Sequence, residues 1–131
     1  MHLETSGRRY EVTLVGAQVC LVTLDYRLGI NLLDAENRPL HIVIATKFSL
    51  IAAAGKPAIT LLPEENSTEL GALAVALRFR EAEACLVRDD STLHLRFAGG
   101  VELDVPADPD YEAWELDGPG FKVVATPGAE P

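Results

Sequence analysis

The stretch 19–33, VCLVTLDYRLGINLL, lies over 84–98, ACLVRDDSTLHLRFA, at a constant offset of 65. Cys20/Cys85, Leu21/Leu86, Val22/Val87, Asp25/Asp90 and Leu28/Leu93 are identical, and Ile30/Leu95 and Leu32/Phe97 match in kind. After a turn that is shorter in the second copy, AGG against DAENRP, Leu40/Val101, Ile42/Leu103 and Ile44/Val105 align. At an offset of 63, FSLIAAAGKPAITLLP (48–63) lies over YEAWELDGPGFKVVAT (111–126), with Gly55 and Gly118 in a shared turn. Alternation alone produces apolar matches between any two meanders. The shared Cys-Leu-Val triplet, the paired aspartates and the glycine turn go further. The expectation is an internal repeat, 18–63 and 83–126: two four-stranded antiparallel meanders related by a pseudo-twofold axis.

The elements follow from local pattern. Val19–Leu24, Leu28–Leu33, Leu40–Ile44, Phe48–Ala53 and Ala58–Leu62 read as strands, divided by turn-forming Asp, Gly and Pro. One helix is expected near 67–80, joining the repeats. Asn66 stands at its cap with Glu69 three residues on, and Leu70, Leu73, Ala74 and Leu77 share one face. Arg78 and Arg80 fall where positive charge complements the helix dipole. The fold class is mostly β, α+β by virtue of that one helix, in a single domain spanning 1–131. The helix is expected to cover the shared core or to lie against a sheet edge.

With 131 residues the chain has the length of one domain with a real core. Its net charge of −9 is one-sided: residues 1–60 balance to +1 and residues 61–131 to −10. An acidic half repels phosphate backbones, so nucleic acid is not an expected partner. Two cysteines make no disulfide framework, and no Cys-x-x-Cys is present. Cys20 and Cys85, equivalent in the repeat, read as small buried hydrophobes of a reducing compartment rather than a bridge. Arg8-Arg9 before an apolar run has the look of a twin-arginine signal, but Glu11 and Gln18 interrupt it. No apolar segment reaches the ~18 residues a membrane span needs. A cytoplasmic protein is the expectation.

The tract DPDYEAWEL-DGPG-FKVVATPGAE, preceded by an Ala/Leu-rich helix and a DDSTLHLRF hairpin, resembles an uncharacterised family of small bacterial proteins. They are typical of high-GC Gram-positive genomes and known only as a domain of unknown function. The resemblance covers roughly residues 15–130, and Asp108, Pro109, Tyr111, Glu112, Ala113 and Trp114 are its most specific part. Members commonly continue Pro-Gly-Gly-Glu into a further apolar stretch, whereas here Pro127-Gly128-Ala129-Glu130-Pro131 stops. The resemblance implies no activity, cofactor or catalytic residue.

The same tract carries the candidate chemistry, five carboxylates around a tyrosine and the only tryptophan. Asp108, Asp110 and Glu112 form D-x-D-x-E, but calcium needs six or more oxygen ligands and a glycine-bearing loop, so no metal is expected. On a strand Asp110 and Glu112 would share a face about 7 Å apart, a spacing compatible with paired-acid hydrolysis. Alternating charge is nevertheless what any solvated strand face looks like, and Glu102 and Asp104 read the same way. In the repeat Tyr111 and Trp114 take the places of Phe48 and Ile51, and their opposite parity lets only one face a core. His41 and His94 alternate to the polar side, and His2 is terminal. No nucleophile stands at motif spacing from a base.

The sequence thus favours a non-catalytic protein-interaction or assembly module without cofactor. Its expected binding face is Asp108, Asp110, Tyr111, Glu112, Trp114 and Glu115. Self-association, possibly as a homodimer, would use unpaired sheet edges. One version is an immunity- or inhibitor-type protein whose acidic half meets a basic partner. A small-ligand carrier or enzyme is the alternative, and it requires a polar concavity where both repeats converge.

Overall fold

Period-two alternation and one helical stretch build the computed structural model, which describes residues 10–11 and 16–125. His2, Arg8-Arg9 and the terminal Pro127–Pro131 run lie outside the described residues. The elements are β1 (Tyr10–Glu11), β2 (Gln18–Leu24), β3 (Leu28–Leu33), β4 (Pro39–Ile44), β5 (Phe48–Ile51) and β6 (Ile59–Leu61). Then come α1 (Ser67–Leu77), β7 (Ala82–Val87), β8 (Leu93–Phe97), β9 (Val101–Val105), β10 (Trp114–Gly118) and β11 (Phe121–Val124). The mostly-β fold with one helix is as the sequence indicates.

The distribution of strands is not two self-contained meanders. One sheet runs β11-β10-β4-β3-β2 and the other β1-β7-β8-β9-β5-β6, all antiparallel. Each half keeps its first three strands together and gives its last hairpin to the other half's sheet. Replacing β2–β6 by β7–β11 converts one strand order into the other. The two sheets also touch where β2 and β7 begin, at the bridge Gln18↔Glu81. There the Val19 amide donates to Arg80 O at 2.9 Å and the Ala82 amide to Ala17 O at 2.8 Å, one bond the counterpart of the other.

Register replaces the sequence alignment at three places. Ile30 opposes Ile42 as Leu95 opposes Leu103, so those pairs correspond as expected. Opposite them lie Val22 and Cys85, which makes Val22, not Cys20, the counterpart of Cys85. A bulge in each first strand places Cys20 with Glu83. Cys20 is exposed, Cys85 is buried, and no disulfide joins them. In the last hairpins Leu116 opposes Ile42 and Leu50 opposes Leu103, so Trp114 corresponds to Phe48 rather than to Ile51. The left-handed turn residue matching Gly55 (φ 82°) is Gly120 (φ 78°), while Gly118 still belongs to β10.

One continuous core lies between the sheets. Ile30, Ile42, Ile44, Trp114 and Leu116 fill it from one side, Phe48, Leu95, Phe97, Leu103 and Val105 from the other. Leu70, Leu73 and Leu77 add the apolar stripe of α1, which lies against β2. Asn66 takes the N-cap position, but its side chain makes no cap hydrogen bond; its Oδ1 instead accepts from the Leu62 amide at 2.8 Å. Arg80 reaches back to the helix end, where its Nε donates to Ala76 O at 2.6 Å. That bond satisfies one of the terminal carbonyls directly, the site where positive charge is favoured.

Candidate functional site

The link between β4 and β5 is three residues, 45–47, but its counterpart between β9 and β10 is eight, 106–113. At the short link the Ala45 amide donates to Ala113 O at 2.8 Å and extends the pairing of β4 with β10. The matching position beside β9 is Pro106, which has no N–H to give. Pairing therefore stops where β9 ends, and a cleft of about 550 Å³ opens there. Its volume falls within the range typical of ligand sites, roughly 300–1,000 Å³.

Both halves of the chain line it. Thr46, Lys47, Phe48, Ser49 and Thr60 come from the first, Thr92, Asp104, Pro106, Ala107 and Asp108 from the second. A concavity lined by both halves is thus present, with a lining that is more apolar than polar. Thr46 is 7% exposed, the single buried polar residue among those described. No hydrogen bond is made by its hydroxyl among the described residues. No fully buried side-chain N or O goes unsatisfied among the described residues, and Thr46 lines the cleft.

One wall is a cross-strand row on the outer face of the larger sheet: Leu86, His94, Asp104, Ser49 and Thr60 stand opposite one another in register. His94 Nδ1 lies 2.8 Å from Asp104 Oδ1, and its Nε2 lies 3.4 Å from Glu102 Oε1. Arg88 adds a contact to Asp104 at 3.4 Å. The carboxylate, not the imidazole, therefore stands beside Ser49, so His94 is not the group next to its hydroxyl. In the other sheet the same row reads Thr23, Gly29, Val43, Glu115 and Val124. The His–Asp–Ser–Thr sequence is confined to the cleft side. Beside it, the Thr92 side chain and then its amide hydrogen-bond Asp90, holding that carboxyl below its ordinary value.

The acidic tract is a loop up to residue 113 and becomes a strand only at Trp114, where β10 begins. Asp108 lines the cleft, and its Oδ1 accepts the Asp110 amide at 2.9 Å. Asp110 and Glu112 are exposed on the same loop, so the strand-based spacing of these two acids does not apply. Tyr111, 43% exposed, donates its hydroxyl to Ala45 O at 3.3 Å and ties the two links together. Trp114 is buried and presents no binding surface; its Nε1 donates to Ser91 O at 2.8 Å. Glu115 lies on the outer face of the smaller sheet, between Val43 and Val124. Tyr111 precedes β10, so strand parity does not relate it to Trp114; the tryptophan is buried and the tyrosine exposed.

The residues that sequence reasoning missed are Thr46, Lys47, Ser49, Thr60 and Thr92. The available signal was Pro106, a strand terminator directly before an acidic loop. Among the described residues no group of three or more His, Cys, Asp or Glu is placed to hold a metal ion. Nor is any helix among them long and apolar enough to cross a membrane.

Residues 10–130 match the model of a family of unknown function, DUF6188, and the chain belongs to that family. No curated protein and no solved structure matches it.

Proposed function

We propose that this chain is a non-catalytic binding module whose contact site is the cleft between the β4–β5 and β9–β10 links. The observation that carries this is Thr46, a buried residue whose hydroxyl has no hydrogen-bond partner among the described residues and which lines a concavity of ligand size. A hydroxyl kept at such a place and given no internal partner is suited to an external one. The acidic loop above it would steer a basic protein partner into the site. A low cysteine count without a disulfide framework suits the reducing cytoplasm as its compartment. The two halves are read as copies of one ancestral unit, of which only the second acquired the long loop.

The test is affinity capture from the producing cells with the wild-type chain and with Thr60→Trp, which fills the cleft from an exposed wall position. A partner retained by the first and lost by the second, at unchanged circular dichroism, is the expected result. Identical capture by both chains would remove the cleft from consideration.

A further inference from the structure

The chemistry of the cleft lining narrows what enters it, on the premise that the cleft is the contact site. Two carboxylates, Asp104 and Asp108, face in, and Asp110 and Glu112 extend the acidic loop beside them, so an anion is disfavoured. The two lining carboxylates are not equivalent. Asp104 is already neutralised by Arg88 at 3.4 Å and hydrogen-bonded to His94 at 2.8 Å. Asp108 meets only the Asp110 amide, at 2.9 Å, among the described residues. The site therefore offers one carboxylate without an ion-pair partner among the described residues. Lys47 lines the cleft, is exposed, and forms no ion pair with either aspartate among the described residues.

The neutral groups complete the pattern. Thr46, Ser49 and Thr60 bring hydroxyls whose oxygens can accept, while Phe48, Pro106 and Ala107 supply apolar wall. A divalent cation would require several carboxylates or carbonyls at once, and no three-membered acidic, His or Cys group is placed for it among the described residues. An ammonium group has three N–H donors and a single positive charge. That matches one free carboxylate flanked by hydroxyl acceptors, and an alkyl stem matches the apolar wall. We propose that the cleft binds an alkylammonium group, with the Asp108 carboxylate as its charge partner and the Thr46 hydroxyl as an acceptor. The group comes either from a lysine side chain of a partner or from a small free amine.

The experiment is a titration of the full chain followed by the amide resonances of Thr46–Ser49. Its three probes are a lysine-containing peptide capped at both ends, n-butylamine, and the neutral N-butylacetamide. Both cations are expected to shift those amides and the neutral probe is not. Asp108→Asn should weaken binding about tenfold, as for loss of a charge-assisted hydrogen bond. Thr46→Val, close in shape, should weaken it several-fold. Lys47→Gln removes a like charge and should strengthen it. A response to butylamine without one to the peptide assigns the source to a free amine. Equal shifts with the neutral probe, unaffected by Asp108→Asn, would overturn the ammonium proposal while leaving the cleft as a site. No shift with any probe, together with unchanged capture by Thr60→Trp, would overturn both.

Discussion

Asp34 and Asp90 share a turn chemistry that makes stability depend on pH. The Arg38 amide, followed by the guanidinium of the same residue and the Glu36 amide, holds Asp34 below its ordinary value near 3.8. Asp90 is held down first by the Thr92 side chain and then by its amide. A carboxyl with a depressed folded pKa binds its proton more readily in the unfolded chain. The stabilisation is therefore fully present above that ordinary value and is lost as pH falls from there through the folded pKa. Urea midpoints measured at pH 5 and pH 3 should fall further for the wild-type chain than for Asp34→Asn/Asp90→Asn. An equal fall would place the acid sensitivity elsewhere. These turns were visible as Asp-containing breaks between strands. Thr46 was not legible, because nothing local distinguishes a strand-end threonine that meets a cleft from one that meets water.

At the scale of elements, lengths of connections decided what could be read. Strands and helix were recognisable because period 2 and period 3.6 are local properties. The long β9–β10 link was hidden because its eight residues alternate much as a strand does, and an ungapped overlay at 63 absorbs it. Cross-strand register exposes the error, since it depends on which partner each residue faces. The turns carry their own test. Gly55 and Gly100 both have left-handed backbones, at φ 82° and 81°, but their surroundings differ. A Cβ at Gly55 would meet nothing within 4 Å, whereas one at Gly100 would collide with the backbone of Ala54. Gly55→Ala should cost only the conformational penalty, about 1–2 kcal/mol. Gly100→Ala should cost clearly more, because the β8–β9 turn must also move off the turn after β5. Equal losses in chemical unfolding would mean that the two turns do not pack as described.

The whole molecule is held together by exchange. In each sheet one interior pairing joins the last hairpin of one half to the first three strands of the other: β4 with β10, and β9 with β5. Neither half can complete a sheet from its own residues in this arrangement, because its last hairpin lies across the core. Apolar residues of Trp114, Leu116, Phe48 and Leu50 are buried only through that crossing. Sequence patterning reaches the likeness of the two strand sets but not the exchange, since β10 carries the same alternation whether it pairs with β9 or with β4. The exchange has a measurable consequence. A fragment beginning at Glu64 keeps α1 and β7–β11 but loses the β4 edge on which β10 lies. Its exposed β9 edge is the counterpart of β4, so a second copy can supply the missing hairpin and receive one in return. The two copies would then rebuild both sheets about a true twofold axis. Light scattering should give twice the fragment mass, with β-rich circular dichroism and unfolding that depends on protein concentration. A stable folded monomer would contradict the exchange, and failure to fold at any concentration would show that the halves are no longer interchangeable. The long 106–113 loop is the obvious obstacle to that symmetry, because each copy would carry one where the intact chain carries the short link 45–47. Shortening it to three residues should therefore tighten the fragment dimer, and the same change in the intact chain should close the cleft.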